Sequence, residues 1–180
     1  MERLLVEQAI SGDRAAFDAL VRSRIDALYR TSLAILGDAA DAADAVQETF
    51  VSAWCHRAAL RDPDAFDAWL GRINLNACRG QRRRRGRTKV REIRLLDPED
   101  GRQPLVAGRA FDDRTADADA FDRAFARLSV DDRAVLVMHH LHERPLAEIA
   151  AALGAPAGTI KSRLHRARAA LESALAKESR

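Results

Sequence analysis

The sequence predicts an all-α protein: two small helical domains joined by a flexible linker, with a helix-turn-helix in the C-terminal one. Three observations lead there. Aromatic residues make up only 5% of a chain that is 47% hydrophobic, and Ala, Arg, Asp and Leu dominate, a balance that favours helices over sheets. Apolar residues recur at helical spacing along most of the chain, but the pattern fades where Pro98, Gly101, Pro104 and Gly108 punctuate it. Near the end, two apolar stripes meet at a Gly-Pro corner. The expected boundaries are 1–91 for the first domain, 92–116 for the linker and 117–180 for the second domain.

The first helix is expected over Glu2–Ile10 and ends at Ser11-Gly12, after which Asp13 can cap the second. The second carries Phe17, Leu20, Val21, Leu28, Tyr29 and Leu33 and stops at Gly37. A third follows from Asp38 to about Arg57, with Asp41 and Asp44 early, where negative charge suits the helix dipole. Its apolar residues Val46, Phe50, Val51, Ala53 and Trp54 cover an arc wider than one core usually needs. Such an arc fits either a helix wedged between two neighbours or one that also meets a partner protein. Pro63 forces a loop over Leu60–Ala65, with Asp62 or Asp64 available as a cap. The fourth helix buries Phe66, Trp69, Leu70, Ile73 and Ala77 and turns Arg72, Asn76 and Arg79 elsewhere. It leads into a stretch, Arg82 to Arg91, with seven cations and no acid, which attracts polyanions by counterion release.

The charges are segregated rather than large in sum, since the net charge is +3 and the pI about 9.3. From Asp97 to Asp122 eight acids face three arginines. Helicity resumes near Asp117 with Phe121, Phe125 and Leu128, and Ser129 is placed to cap a helix holding Val135, Leu136, Met138 and Leu141. His139, His140 and His142 suggest a metal, but no set of Cys, Asp or Glu completes a site, so no metal and no cofactor are expected and the role of the three is open. Cys55 and Cys78 lie in helices without a paired spacing and read as buried free thiols of a reducing cytoplasm. Neither a signal sequence nor a long apolar run is seen, so the protein is expected to be cytoplasmic, without membrane insertion.

The C-terminal corner is the most informative stretch. Leu146, Ile149, Ala150 and Leu153 form one apolar stripe, Gly154 and Pro156 turn the chain, and Ile160, Leu164, Ala167 and Leu171 form the next. Lys161, Ser162, His165, Arg166 and Arg168 point away from that second stripe, and no acid occurs between Gly154 and Glu172. A solvated amphipathic hairpin would share the periodicity. The short polar donors flanked by cations are what base edges and phosphates in a major groove require.

Three motifs in order carry a family resemblance: DAADAVQETFVSAW over Asp41–Trp54, FDAWLGRINLN over Phe66–Asn76, and GTIKSRLHRAR over Gly158–Arg168. Together they resemble bacterial sigma factors of the extracytoplasmic-function group, over nearly the whole chain. The resemblance implies core RNA polymerase, promoter DNA and an anti-sigma factor as partners. It implies that Asp44, Gln47, Glu48, Phe50 and Trp54 dock on polymerase. Within the loop Leu60–Ala65, which matches the one that captures an extruded minus-ten base, Arg61 and Asp62 are implied as DNA contacts. Arg72, Asn76, Arg79, Arg82 and Arg83 join them on the minus-ten element, and the linker matches a segment that enters the polymerase cleft. On the minus-thirty-five element Lys161, Ser162, His165 and Arg166 match base readers, with Arg163 and Arg168 placed for the backbone. No nucleophile, base and orienting group recur together, so no catalytic activity is expected. A free-standing regulator that binds palindromic duplex DNA as a dimer is the alternative from another class, and a scaffolding helical protein would leave the basic segments unexplained.

Overall fold

A computed structural model describes residues 2–95 and 116–178, with side chains for 2–87 and 118–177. Eight α-helices occur among them: α1 (Glu2–Ser11), α2 (Arg14–Leu36), α3 (Ala39–His56), α4 (Phe66–Leu95), α5 (Ala116–Ala126), α6 (Val130–Leu136), α7 (Leu146–Leu153) and α8 (Ala157–Glu178). No strand is present among the described residues. Helix α4 runs past the expected domain end at residue 91 to Leu95. The segment 96–115, which holds most of the expected linker and part of its acidic charge, lies outside the described residues.

The predicted stops and caps form as short-range chemistry dictates. Asp13 accepts from the amides of Ala15 and Ala16 at 2.8 and 3.1 Å, and Asp38 accepts from Ala40 and Asp41, both at 3.0 Å. Of the two candidate caps near Pro63 it is Asp62 that serves, accepting from the amide of Asp64 in a single 3-10 turn, Pro63–Ala65. Ser129 caps α6 through the amide of Asp132 at 3.1 Å. Gly37 and Gly154 end α2 and α7 at φ of 74° and 62°, a left-handed conformation in which a Cβ is strained.

Two cores are stacked along α4. Val6, Ala9, Ala16, Leu20, Ala53, Leu60, Phe66 and Leu70 close α1, α2 and α3 around its first turns. Further along, Leu75, Ala77 and Cys78 join Ile35, Leu36 and Ala45, and this cluster continues without a break through Leu128, Val135, Met138, Ile149, Leu153, Ile160 and Leu164 of the second domain. The two domains therefore share apolar packing, with α7 lying on α4 and α6 on α2. Burial of Cys78 follows the expectation, and it pushes the thiol up to about 11. Cys55 departs from it. It is exposed on α3, one helical turn beyond Val51, on the side left open among the described residues. Leu141 departs as well and is 60% exposed, because α6 widens into a π-helical turn, Val137–Leu141, that shifts the phase of its last residues.

Asn74 and Arg133 carry polar pairing inside these cores, whereas the buried Nε of Arg57, beside the first core, has no hydrogen-bond partner among the described residues. Asn74 sits between the cores, and its Oδ1 accepts from Ser32 of α2 at 3.0 Å and from Thr49 of α3 at 3.1 Å, so one amide registers three helices. Arg133, 2% exposed, donates to the carbonyls of Leu128 at 3.2 Å, Ile35 at 2.8 Å and Ala126. The Ile35 carbonyl belongs to the last turn of α2, where no intrahelical donor is available and a cation suits the dipole. Burial pushes the guanidinium down to about 10, helped by nearby Arg82, so it remains charged at neutral pH. Asn74→Ala leaves the buried Ser32 hydroxyl short of an acceptor, while Thr49 keeps the Ala45 carbonyl at 2.6 Å, and it is expected to lower unfolding free energy by about 1–3 kcal/mol in denaturant titration, with no change in helix content. A loss below about 0.5 kcal/mol would show that water replaces the amide there.

Candidate nucleic-acid interface

The outer face of α8 is built from its own inner stripe. Ile160, Leu164 and Ala167 are buried, which leaves Lys161, Ser162, His165, Arg166 and Arg168 exposed along nearly two turns. Ser162 Oγ donates to the Thr159 carbonyl at 2.9 Å. Arg168 Nε donates to His140 Nε2 at 3.1 Å. Arg163, expected among the backbone contacts, is turned inward, and its Nη1 lies 3.6 Å from Asp131.

The minus-ten set lies on the loop 60–65 and on α4, and the structure brings it against the second domain. Arg61, Asp62 and Arg72 line a cleft of about 650 Å³ together with Leu60, Ala65 and Trp69; its other wall is the corner of the helix-turn-helix, from Ala150 to Pro156. Asn76 is exposed and accepts from Arg79 Nη1 at 2.8 Å, while Arg79 Nε reaches Asp131 of α6 at 2.7 Å. Arg82 Nη2 donates to the Ala126 carbonyl at 3.3 Å, and Arg83 is exposed. The following arginines meet acids of α3 and its cap: Arg84 with Glu48 at 3.0 Å, and Arg85 with Asp41 at 2.8 Å and the capping Asp38 at 3.2 Å. Asp38 is held below the ordinary carboxylate value, first by the amide of Asp41 and then by Arg85. The spacing of the arginine run hid these partners, since the acids that face it lie some forty residues earlier in the chain.

The five residues expected on polymerase divide in two. Asp44 and Gln47 are exposed, and with Val51 and Cys55 they make one continuous stripe of α3. Val51, 59% exposed, was not among the five residues matched by motif, and exposure alone marks it out. Glu48 is half-buried against Arg84. Phe50 and Trp54 face inward: Phe50 packs on the first core, and the Trp54 ring lies 5.1 Å from Phe17 and 4.2 Å from the Arg57 guanidinium. The wide apolar arc thus serves mainly the domain's own core, and among the described residues its Val51 edge is exposed.

His139 and His140 stay together in the π-helical turn, their rings edge to face with centroids 4.8 Å apart, while His142 follows the turn and precedes Glu143, whose φ is 50°. His142 Nε2 lies 2.9 Å from Thr31 Oγ1 of α2, whose hydroxyl donates to the Ala27 carbonyl, so the imidazole N–H is the donor. His140 meets Arg168 instead, and His139 Nδ1 meets the Arg144 carbonyl at 3.4 Å. Among the described residues no group of three or more His, Cys, Asp or Glu is arranged to hold a metal ion. Likewise no helix among them is long and apolar enough to cross a membrane.

His142 has its pKa lowered from 6.5 by burial first, then by Arg144 and by Arg30 of α2, despite Asp64, Asp67, Glu143 and Glu148 in the same cleft. His140 is lowered by burial, Arg168 and His139 in that order. A depressed histidine binds its proton more readily when unfolded, so its neutral form favours the fold above about 6.5 and that support is lost as pH falls below this value. The drop in melting temperature between pH 7.5 and pH 5 is therefore expected to shrink in a His140→Gln, His142→Gln double variant. Equal drops in the two proteins would remove both histidines from the pH response.

Comparison with known proteins agrees with this geometry. A family model described as Sigma-70 region 2 matches residues 20–88, and one described as Sigma-70, region 4 matches residues 118–171. The chain is 37% identical over 172 residues to the ECF RNA polymerase sigma factor SigL of Mycobacterium tuberculosis, covering 92% of this chain and 94% of SigL. It is 35% identical over 176 residues to the ECF RNA polymerase sigma factor SigE of Mycolicibacterium smegmatis, covering 94% of this chain and 66% of SigE. Among solved structures it resembles CnrH in complex with the cytosolic domain of CnrY, with TM-score 0.66 and 30% identity over 98% of this chain and 97% of that one. It also resembles the sigma factor RpoE of Bartonella quintana in complex with the anti-sigma factor NepR, with TM-score 0.63 and 28% identity over 88% and 96% of the two chains. Two helical domains matching sigma regions 2 and 4 in order, with relatives spanning nearly the whole chain, place this protein in the extracytoplasmic-function group of the sigma-70 family.

Proposed function

We propose that this sigma factor binds core RNA polymerase, directs it to specific promoters, and helps open the minus-ten region for transcription initiation. The observation that carries the reading is the exposed basic row Lys161, Ser162, His165, Arg166 and Arg168, held outward on α8 by a buried stripe, on the same chain as a Pro-bearing loop followed by a helix exposing Arg72 and Asn76. The first surface suits duplex edges, and the second suits an unstacked base and its phosphates. In this reading Lys161, Ser162, His165 and Arg166 contact bases of the minus-thirty-five element, with Arg163 and Arg168 on its backbone. Arg61, Asp62, Arg72, Asn76, Arg79, Arg82 and Arg83 serve the minus-ten element. Asp44, Gln47 and Glu48 contact polymerase, and we add Val51; Phe50 and Trp54 support that face from beneath. The domain limits 1–91, 92–116 and 117–180 belong to the same proposal. Control by an anti-sigma factor is proposed too, supported by the likeness to RpoE in complex with NepR. The protein acts on polymerase and DNA inside the cell and has no chemistry of its own.

Two measurements test the reading. Asn76→Ala is expected to reduce permanganate reactivity of unpaired thymines in the polymerase complex more than it reduces closed-complex binding in a gel shift, since extruding a base costs a few kcal/mol that only the open state recovers. Tight dimeric binding of the isolated protein to duplex promoter, with no polymerase-dependent permanganate signal, would instead favour a free-standing regulator.

Val51→Asp is expected to weaken core polymerase binding about tenfold or more while the melting temperature stays near that of the wild type, because an apolar contact is replaced by a charge that must be desolvated. Unchanged affinity in a titration would take the α3 stripe out of the interface.

A further inference from the structure

One carboxylate faces two cations that belong to different surfaces. Asp131 stands in the first turn of α6, with Oδ1 2.7 Å from Nε of Arg79 on α4 and Oδ2 3.6 Å from Nη1 of Arg163 on α8. All three side chains are only partly exposed, between 24% and 33%. Asn76 Oδ1 takes a second N–H of Arg79 at 2.8 Å, so the group that would meet an unpaired base is tied to the same cluster. Asp131 thus lies where the minus-ten helix, the recognition helix and the domain boundary come together.

A carboxylate and a phosphodiester offer an arginine the same thing: two acceptor oxygens sharing a negative charge. We propose that Asp131 is an internal substitute for promoter phosphate, which draws Arg79 and Arg163 onto one oxygen pair and clasps the second domain against α4 until DNA supplies phosphates in its place. The inference rests on the placement of both arginines at DNA given above. Its neighbours define it by contrast. Asp132, one residue on, is engaged by Ser129 Oγ at 2.6 Å and ion-pairs with neither arginine, and Arg133 anchors the domain through backbone carbonyls that DNA does not compete for. A clasp must also be breakable. Partly exposed ion pairs each shift an equilibrium only a few-fold, which suits a contact that has to yield on assembly. A ligand whose competent state is only partly populated binds more weakly by that fraction, so removing the clasp raises apparent affinity.

The full-length chain is the test material, with Asp131→Asn, Asp131→Glu and Asp132→Asn as variants. Phosphate contacts carry no sequence information, so a short mixed-sequence DNA duplex at low salt is a sufficient probe, read by fluorescence anisotropy, with the radius of gyration from solution scattering measured in parallel. Asp131→Asn is expected to bind the duplex about three- to tenfold more tightly than the wild type and to show a larger radius of gyration. Asp131→Glu, which keeps the charge, should stay near the wild type in both. Asp132→Asn removes the same charge one residue away and should leave both readings unchanged, which separates the clasp from a general loss of repulsion. Equal gains in Asp131→Asn and Asp132→Asn, or no gain in a folded Asp131→Asn, would overturn the proposal. If Asp131→Asn loses its helical circular dichroism, Asp131→Glu decides: an affinity well away from the wild type in that folded variant overturns the clasp, and one near it with an unchanged radius supports it. Failure of the wild-type protein to support promoter-dependent transcription with core polymerase would strike the function above and leave the radius measurement standing.

Discussion

Helix α4 carries apolar residues on two sides, and both must be covered. Phe66 and Leu70 close against α1, α2 and α3, whereas Leu75, Ala77 and Cys78 share a cluster with Ile149, Leu153 and Ile160 of the second domain. A helix that is apolar on two sides is stable in water only when something lies on each. In this arrangement the second domain is what covers it. Asn74 fixes the rotation by offering one oxygen to Ser32 and Thr49, so the exposed positions Arg72 and Asn76 follow from a buried amide and not from their own preferences.

That packing has an electrostatic counterpart. The basic residues that suit DNA do not stand in solvent as a uniform field. Arg84 and Arg85 meet Glu48, Asp38 and Asp41, and Arg79 and Arg163 meet Asp131, while Arg83, Lys161 and Arg166 are exposed. Acids and bases are thus matched within the chain at several points where a polyanion would otherwise bind. Partly exposed pairs of this kind contribute little to stability, and salt screens them as it screens DNA binding. Under the proposed function such pairs are expected to lower the affinity of the isolated chain for phosphates.

Local order was legible because its causes are local. Asp13, Asp38, Asp62 and Ser129 cap the elements they precede through hydrogen bonds to amides within three residues, and Gly37 and Gly154 end helices because they alone accept the left-handed backbone without strain. The buried stripe of α8 followed from spacing, and its polar face followed by elimination. Where periodicity was less faithful, a non-local cause was at work. Leu141 is exposed since a π-helical turn shifts the phase of the last residues of α6, and beyond that turn His142 meets Thr31 while His139 and His140 keep their rings together. The apolar arc of α3 marked an unusual helix, yet it could not separate Trp54, which packs at a tilt on Phe17 and lies beneath the Arg57 guanidinium, from Val51, which touches solvent.

The sequence by itself determined the helices, their caps, the Gly-Pro corner and the chemical character of each face, because hydrogen bonds a few residues apart and the 3.6-residue period settle these. Tertiary structure alone decided which arginines are paired, that Arg133 is buried against the end of α2, that Cys55 is exposed while Cys78 is not, and that the second domain rests on α4. Those features depend on groups some thirty-two to ninety-eight residues apart meeting in space, and on a shared apolar cluster whose two halves look like separate domains when read along the chain.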